Sequence, residues 1–209
     1  MATKETKQRG RPRSFDRETA LEQAVRSFWE RGYEATSISD LTRAMGISAP
    51  SLYAAFGDKR ALFDEVVAEY GRLYGGFLSR AVVEEPTARR GVERALHEAA
   101  VEYTLPGRPR GCLVISAALN ISPASAEVAD SLREMRLSNV RDIAGAIRAD
   151  IASGELPPDT DADALAAYTG AVIQGMSQQA RDGAERTELE AIAELALKAW
   201  PRKTGGEVR

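Results

Sequence analysis

Between residues 36 and 45 the apolar positions Ile38, Leu41 and Met45 stand three and four residues apart, which is the spacing of one face of a helix. Gly46 comes next, and glycine often ends a helix because it adopts a positive φ without a steric penalty. The pattern therefore predicts a short helix that is buried on one side and stops at Gly46.

A second short helix is predicted directly after this one. Ser48 is suited to cap its N-terminus, and Pro50 is tolerated in its first turn because the missing N–H would have no partner there. Leu52 and Phe56, four residues apart, give it an apolar face. Its other positions carry small side chains: Ser48, Ala49, Ser51, Ala54 and Ala55. Two short, one-sided helices around a glycine turn predict a helix-turn-helix whose second helix can approach a DNA groove.

Helical spacing continues on both sides of this unit, and no stretch shows the alternation of a β-strand. The further predicted helices cover residues 16–32, 59–83, 92–103, 111–119, 128–154, 159 or 161–183, and 187–200. We therefore predict an all-α fold, in which the helix over 59–83 connects two helical domains. The predicted divisions are a flexible basic arm over 1–14, a first domain over 15–60 and a larger one over 61–209.

Several short motifs in residues 36–62 share one known pattern. They are Thr36, Asp40-Leu41, Gly46-Ile47-Ser48, Leu52-Tyr53-Ala54-Ala55-Phe56 and Lys59-Arg60-Ala61-Leu62. In these motifs the chain resembles the TetR (AcrR-like) transcriptional repressors, many of which carry His or Tyr where this chain has two alanines. The resemblance implies an N-terminal three-helix helix-turn-helix DNA-binding domain and a larger helical ligand-binding and dimerisation domain.

Charge is distributed unevenly along the chain. The net charge is −3, yet residues 1–60 carry 11 Lys and Arg against 8 Asp and Glu, while the remainder carries 17 against 23. A basic end on an acidic body favours a DNA-facing pole. In the arm, Arg9, Arg11 and Arg13 alternate with Gly and Pro and resemble the core of an AT-hook, which predicts contact with the minor groove or with phosphates. The alternative is a solvated tail.

The family resemblance assigns further DNA contacts. Tyr53 and Lys59 are predicted to contact phosphates, with packing and a solvated charge as the respective alternatives. Thr36 and Ser37 are predicted to offer hydroxyl groups to the DNA backbone. The residues predicted to face base edges are Thr42, Ser48, Ala49 and Ser51.

An effector pocket is predicted among the connector helix and the next three helices. The candidate lining residues are Tyr70, Tyr74, Phe77, Tyr103, Ile115, Leu119, Met135, Asn139 and Tyr168. Ordinary core packing is the alternative for most of them. Small residues at Gly170, Ala171 and Gly175 allow close helix approach, and the family resemblance implies that with the last helix they form a four-helix interface across a two-fold axis.

Catalysis and metal binding find little support. His97 is the only histidine, which excludes a two-histidine metal site, and no Gly-x-Ser-x-Gly elbow is present. Because Cys112 is the only cysteine, an internal disulfide is excluded, and this cysteine usage suits a reducing compartment. Its apolar neighbours favour an inert buried thiol over a redox sensor. We expect no metal, no cofactor and no enzymatic activity.

These observations lead to one functional prediction. The chain should be a cytoplasmic, homodimeric transcriptional repressor that leaves a palindromic double-stranded operator when a small-molecule effector binds. No apolar stretch long enough for a membrane span and no signal-peptide core are present, so no membrane partner is expected. The alternatives are a DNA-architectural protein that uses the RGRP arm, and a small helical enzyme that uses His97 or Cys112.

Overall fold

The computed structural model describes residues 15–201. Within that range the chain forms ten α-helices, one π-helical turn at Gly71–Gly75, one 3₁₀ turn at Pro123–Ser125 and no β-strand, which confirms the all-α prediction. The helices are α1 (Arg17–Arg31), α2 (Ile38–Met45), α3 (Ala49–Phe56), α4 (Lys59–Tyr70), α5 (Phe77–Glu84), α6 (Ala88–Glu102), α7 (Leu113–Ser116), α8 (Ala126–Ser153), α9 (Ala162–Arg181) and α10 (Arg186–Lys198).

Helices α1 to α4 pack around aromatic side chains at the N-terminal end. The fully buried Phe28 ring stacks on Tyr33, with 5.9 Å between ring centres, and meets Phe63 edge-on at 5.0 Å. Leu41 of α2 and Leu52 of α3 are also fully buried and belong to the same core. α4 extends beyond residue 60 and packs against α1, so this contact crosses the predicted domain boundary. The boundary itself stays a prediction.

The predicted connector helix over 59–83 is interrupted. α4 ends at Tyr70, the π-helical turn follows, and α5 begins at Phe77. The glycines of this segment permit close approach: a Cβ on Gly75 would lie 2.5 Å from Cε1 of Tyr70, and one on Gly76 would lie 2.8 Å from the Gly71 carbonyl oxygen. The prediction of one continuous α-helix is therefore wrong, because π-helical hydrogen bonding replaces the α-helical pattern over Gly71–Gly75.

The remaining helices form the body. α6 packs against α5 and α10, and the long α8 packs against α9. Over 111–119, where a longer helix was predicted, only the single turn α7 is helical, since Gly111 precedes it at φ 75° and Cys112 is extended. None of the helices within residues 15–201 is both long and apolar enough to cross a lipid bilayer.

Hydrogen bonds join the C-terminal end of α1 to the segment around α7. The Trp29 indole Nε1 donates to the Gly111 carbonyl at 3.1 Å, and the Tyr33 N–H donates to the Ala117 carbonyl at 2.9 Å. The Arg181 guanidinium, at the end of α9, donates to the carbonyl oxygens of Trp29 and Glu30, each at 3.3 Å. The N-terminal unit is thus attached to the body by one bond between backbone groups and by the side chains of Trp29 and Arg181, which donate to backbone carbonyls.

Asp150 stabilises the start of α6 from inside the body. Its buried carboxylate Oδ2 accepts from the Ala88 N–H at 2.8 Å. We expect D150A to lower the unfolding free energy by about 1–3 kcal/mol, because it leaves a buried N–H without an acceptor. D150N keeps an acceptor, so its unfolding free energy, measured by urea unfolding, should fall much less. Equal decreases in the two variants would contradict this role of Asp150.

The same carboxyl gives a pH dependence with a definite sign. Burial raises the pKa of Asp150 above its usual value. The folded protein therefore binds this proton more tightly than the unfolded chain, and this group makes the wild type more stable as the pH falls through the folded pKa. The side-chain amide of the D150N variant cannot titrate, so the stability of wild type relative to D150N should rise on acidification.

Candidate nucleic-acid interface and adjoining cavity

Side-chain caps fix the ends of α2 and α3. Ser37 Oγ accepts from the Asp40 N–H at 3.1 Å while the Asp40 carboxylate accepts from the Ser37 N–H at 3.1 Å, a reciprocal capping box. Gly46 ends α2 in the left-handed region at φ 67°. Ser48 Oγ then accepts from the Ser51 N–H at 3.3 Å and starts α3. The local sequence thus determines where both helices begin and where α2 ends.

Helix α3 has one buried face and one open face. Leu52 and Phe56 are buried, whereas Ala54 is exposed and Tyr53 keeps half of its surface accessible, at 50%. Of the residues predicted to face base edges, Ser48 is exposed, and Thr42, Ala49 and Ser51 are half-buried. The open face therefore carries short side chains and a single tyrosine, which allows the helix backbone to come close to a groove floor.

Arg17 holds α3 in place, a role that the sequence patterns did not reveal. Its Nη2 contacts both carboxylate oxygens of Glu65 at 2.7 and 2.8 Å and donates to the Ala55 carbonyl at 3.3 Å. Its guanidinium also lies 4.4 Å from the centre of the Phe56 ring. α1 and α4 therefore clamp the C-terminal end of α3. The role of Arg17 becomes visible only through its contact with Glu65, which lies 48 residues away, and sequence spacing does not predict that contact.

Lys59 stands at the first position of α4, close to the end of α3. Its ammonium group lies 4.4 Å from the centre of the Tyr33 ring, and burial lowers its pKa, with an opposing effect from Glu34. This cation–π contact holds the positive charge beside the N-terminus of α4. Backbone N–H groups at a helix N-terminus also favour an anion, so both would attract a phosphate. Arg43 on α2, which the sequence analysis did not select, exposes 78% of its side chain beside the same unit.

The structure corrects the prediction for Thr36. Its side chain is fully buried, and Oγ1 donates to the Gly32 carbonyl at 2.6 Å and to the Ser27 carbonyl at 3.4 Å. The hydroxyl closes the turn after α1 and does not reach the surface, so it offers no hydroxyl to DNA. Ser37, its neighbour, is exposed. The predicted contacts of Arg9, Arg11 and Arg13 lie outside the described residues.

A cavity of about 250 Å³ lies in the body, between the π-helical turn and helices α5, α8 and α9. Of the nine residues predicted to line a pocket, six line this one: Tyr70, Phe77, Tyr103, Ile115, Met135 and Asn139. Wall residues that the sequence analysis did not select include Cys112, Arg136 and Gln174. A polar residue on a long helix gives no signal of the space that it faces.

Three predicted lining residues lie elsewhere. The Tyr74 ring packs against Trp29 and Tyr70, with 5.3 and 6.0 Å between ring centres, and does not line the cavity. Leu119 is 64% exposed and borders a separate surface depression. Tyr168 is 38% exposed on the outer side of α9, while Gly170 and Ile173 form the cavity wall. The prediction was wrong for these three residues.

Cys112 combines burial with a position on the cavity wall. Burial raises the pKa of its thiol, and its side chain has hydrogen-bonding contact with Tyr70 and Tyr103. The arginines that could have lowered this pKa point elsewhere, since Arg108 pairs with Glu102 and Arg110 donates to the Ala184 carbonyl. A protonated, buried thiol is the form expected of a packing residue.

A capped pair of short helices with one open, small-sided face, clamped from behind by α1 and α4, defines a helix-turn-helix DNA-binding protein. Residues 20–66 match the profile described as "Bacterial regulatory proteins, tetR family", and residues 91–195 match the one described as "Tetracyclin repressor-like, C-terminal domain". The chain belongs to the TetR family, and it is a DNA-binding transcriptional repressor and not an enzyme.

The similarity to known relatives extends over nearly the full length of this chain. The chain is 38% identical over 209 residues to the HTH-type transcriptional repressor ComR of Escherichia coli (strain K12), covering 96% of this chain and 98% of ComR. It is 45% identical, with a TM-score of 0.87, to a cysteine mutant of the TetR family regulator CifR in complex with 26 bp operator DNA, covering 92% of this chain and all of that chain. A putative TetR regulator from Rhodococcus sp. RHA1 is 40% identical, with a TM-score of 0.62, over 90% of this chain and all of that one.

The remaining chemistry of the described residues fits this class. No group of three or more His, Cys, Asp or Glu that could hold a metal ion occurs within residues 15–201. His97 lies on α6 with Nε2 3.3 Å from a carboxylate oxygen of Glu194 on α10, and it does not line the cavity that contains Cys112. His97 and Cys112, either of which the enzymatic alternative would use, therefore lie in separate surroundings.

Proposed function

We propose that two copies of this chain bind a palindromic double-stranded operator through their α3 helices and release it when a small effector enters the cavity. One observation carries the DNA part of the proposal. The open face of α3 presents Ser48, Tyr53 and Ala54 on a helix whose opposite face is locked by Leu52 and Phe56. The CifR mutant, which this chain resembles at 45% identity, is complexed with double-stranded operator DNA, and this supports duplex DNA as the partner.

The contacts between α1 and the α7 segment suggest how the effector acts. Gly111 and Ala117 accept hydrogen bonds from Trp29 and Tyr33, and the residues between them contribute Cys112, Val114 and Ile115 to the cavity wall. A molecule that shifts this wall also shifts α1, and with it the clamp on α3. By linkage, the effector weakens operator binding only as far as it prefers the shifted conformation.

Selection of bound sequences from random duplex DNA tests the DNA part of the proposal. We expect a palindromic consensus whose half-sites lie about 10 bp apart or a multiple of it, because two symmetry-related helices enter the major groove on one side of the duplex. A non-palindromic consensus would contradict binding as a symmetric dimer. No enriched sequence at all would favour the architectural alternative.

Deletion of residues 1–14 separates the two DNA-binding alternatives more directly. A repressor that reads bases through α3 should keep its sequence preference at reduced affinity, since the arm adds only phosphate or minor-groove contacts. An architectural protein should lose its binding altogether. The measurement is the ratio of affinities for the selected and a scrambled duplex, before and after the deletion.

The outer face of α9 is the proposed dimer contact. Ala167, Tyr168, Ala171 and Gly175 are exposed along one side of this helix. Gly170 does not belong to this face, because it is buried against Val140 of α8, where a Cβ would lie 2.8 Å from a methyl group. The small exposed residues allow a second copy of α9 to approach closely.

We expect G175R to convert a dimer into a monomer without loss of the fold. Nothing lies within 4 Å of a Cβ built at Gly175, and arginine is a better helix former than glycine by about 0.5–1 kcal/mol. Any defect should therefore come from the interface, and sedimentation velocity reports it. G145R on α8 is the matched control, because Gly145 is also exposed and unobstructed. A monomeric wild type, or a dimeric G175R, would refute this interface.

A further inference from the structure

Arg136 brings a positive charge to the cavity wall. Its Nη1 donates to the Val114 carbonyl at 2.7 Å, and the residue is half-buried. Within the described part of the chain it forms no ion pair with a carboxylate. Arg133, one turn earlier on α8, does pair with Asp130 at 3.1 Å. The contrast matters because a partly buried charge without a counterion is costly unless something else neutralises it.

The cavity itself supplies no negative charge. Its described lining contains no Asp or Glu, and its polar groups besides Arg136 are neutral, including Tyr70, Tyr103, Asn139 and Gln174. Burial raises the pKa of the Cys112 thiol, so this group stays protonated near neutral pH. Burial lowers the pKa of Arg136, yet a guanidinium does not lose its proton in proteins. The positive charge therefore remains without an internal counterion.

The rest of the wall is suited to an apolar molecule. Phe77, Leu78, Ile143 and Ile173 face the space from α5, α8 and α9. The volume of about 250 Å³ is larger than the ~150 Å³ that accepts a benzene molecule in an apolar protein cavity. The space thus fits a ring or branched chain with a small substituent, and apolar walls exclude a fully hydrated inorganic ion.

We propose that the cavity binds a small organic monocarboxylate, with its carboxylate on Arg136 and its apolar body against Phe77 and Ile173. This deepens the proposed function and rests on it, since it takes the cavity to be the effector site. The guanidinium keeps donors beyond the one engaged with Val114, and a carboxylate accepts two parallel N–H bonds from such a group. The recognised group is the carboxylate, whatever ring or chain carries it.

Matched pairs of probes test the charge preference. Benzoate, phenylacetate and cyclohexanecarboxylate are compared with their primary amides, at constant ionic strength, by thermal unfolding of the full-length protein. The acids should raise Tm by a few degrees at saturating concentration, and the amides, which have the same shape, should raise it less. Equal shifts for acid and amide, or no shift with any acid, would overturn the proposal.

Two variants assign the preference to Arg136. R136M keeps an extended side chain without charge, and it should abolish the difference between acid and amide; R136K should retain part of it. The unliganded Tm and the circular dichroism of both variants report whether the fold survives loss of the Val114 contact. A preference that persists in R136M would overturn the proposal as firmly as its absence in the wild type.

Operator release is measured separately, by fluorescence anisotropy of labelled operator DNA. An acid that stabilises the wild type through Arg136 but leaves the operator bound supports the ligand class and contradicts the effector role of the cavity. An amide that releases the operator while the acids do not bind contradicts the ligand class and supports the effector role. The two proposals can therefore fail independently.

Discussion

Replacing Ala54 with glutamate should weaken operator binding about a hundredfold or more, because a carboxylate placed against DNA meets phosphate charge of the same sign. Ala54 is exposed on α3, between the buried Leu52 and Phe56. Glutamate is a good helix former, so the fold of the N-terminal unit should persist. The measurement is the affinity for the selected operator at fixed salt, with the unfolding midpoint as a check on folding.

A149E is the matched control for A54E. Ala149 is exposed on α8, in the body of the protein, so this variant changes the net charge equally and leaves the open face of α3 unaltered. We expect it to bind the operator within a few-fold of the wild type. If A54E bound as tightly as A149E, α3 would not be the helix that enters the groove, and the docking face proposed above would have to be abandoned.

Replacing Gly111 with alanine should cost about 3 kcal/mol or more of unfolding free energy, because a strained backbone and a steric clash coincide there. Its φ is 75°, a region that L-residues rarely adopt. A Cβ at this position would lie 2.7 Å from the Ser177 carbonyl oxygen and 2.9 Å from Cγ of Arg181. The backbone contact cannot be relieved by rotating a side chain. Urea unfolding measures the loss.

G107A separates the clash from the strain. Gly107 also has a positive φ, of 84°, but nothing lies within 4 Å of a Cβ built on it. This variant should lose only about 1 kcal/mol, the cost of the left-handed conformation. The difference between G111A and G107A then measures the close packing of the α7 segment against α9. Equal losses would mean that this segment moves aside easily and does not transmit force to α1.

Short-range signals explain why the helix-turn-helix could be predicted from sequence. Ser37 and Ser48 cap helices through bonds that span three residues, and Gly46 needs only its own φ. Such features are encoded within a few neighbouring positions. Arg17 shows the limit, because its partner Glu65 lies 48 residues away. No spacing rule brings these two side chains together.

The cavity was predicted only in part, for a different physical reason. Helical periodicity identifies residues that face inward, such as Tyr70 and Phe77, but does not show where inward faces leave space between them. Tyr74 lies one turn after Tyr70, and both rings pack on Trp29, yet only Tyr70 lines the cavity. Arg136 was missed because charge alone does not reveal what a side chain faces.

The π-helical turn at Gly71–Gly75 has an evolutionary consequence. It separates α4, which begins with Lys59 close to the end of α3, from α5, which contributes Phe77 to the cavity wall. Under the proposed function, substitutions on α5 can reshape the cavity while α3 keeps its sequence. Chemical selectivity can consequently diverge among descendants of such a gene while the target sequence in the genome is inherited unchanged.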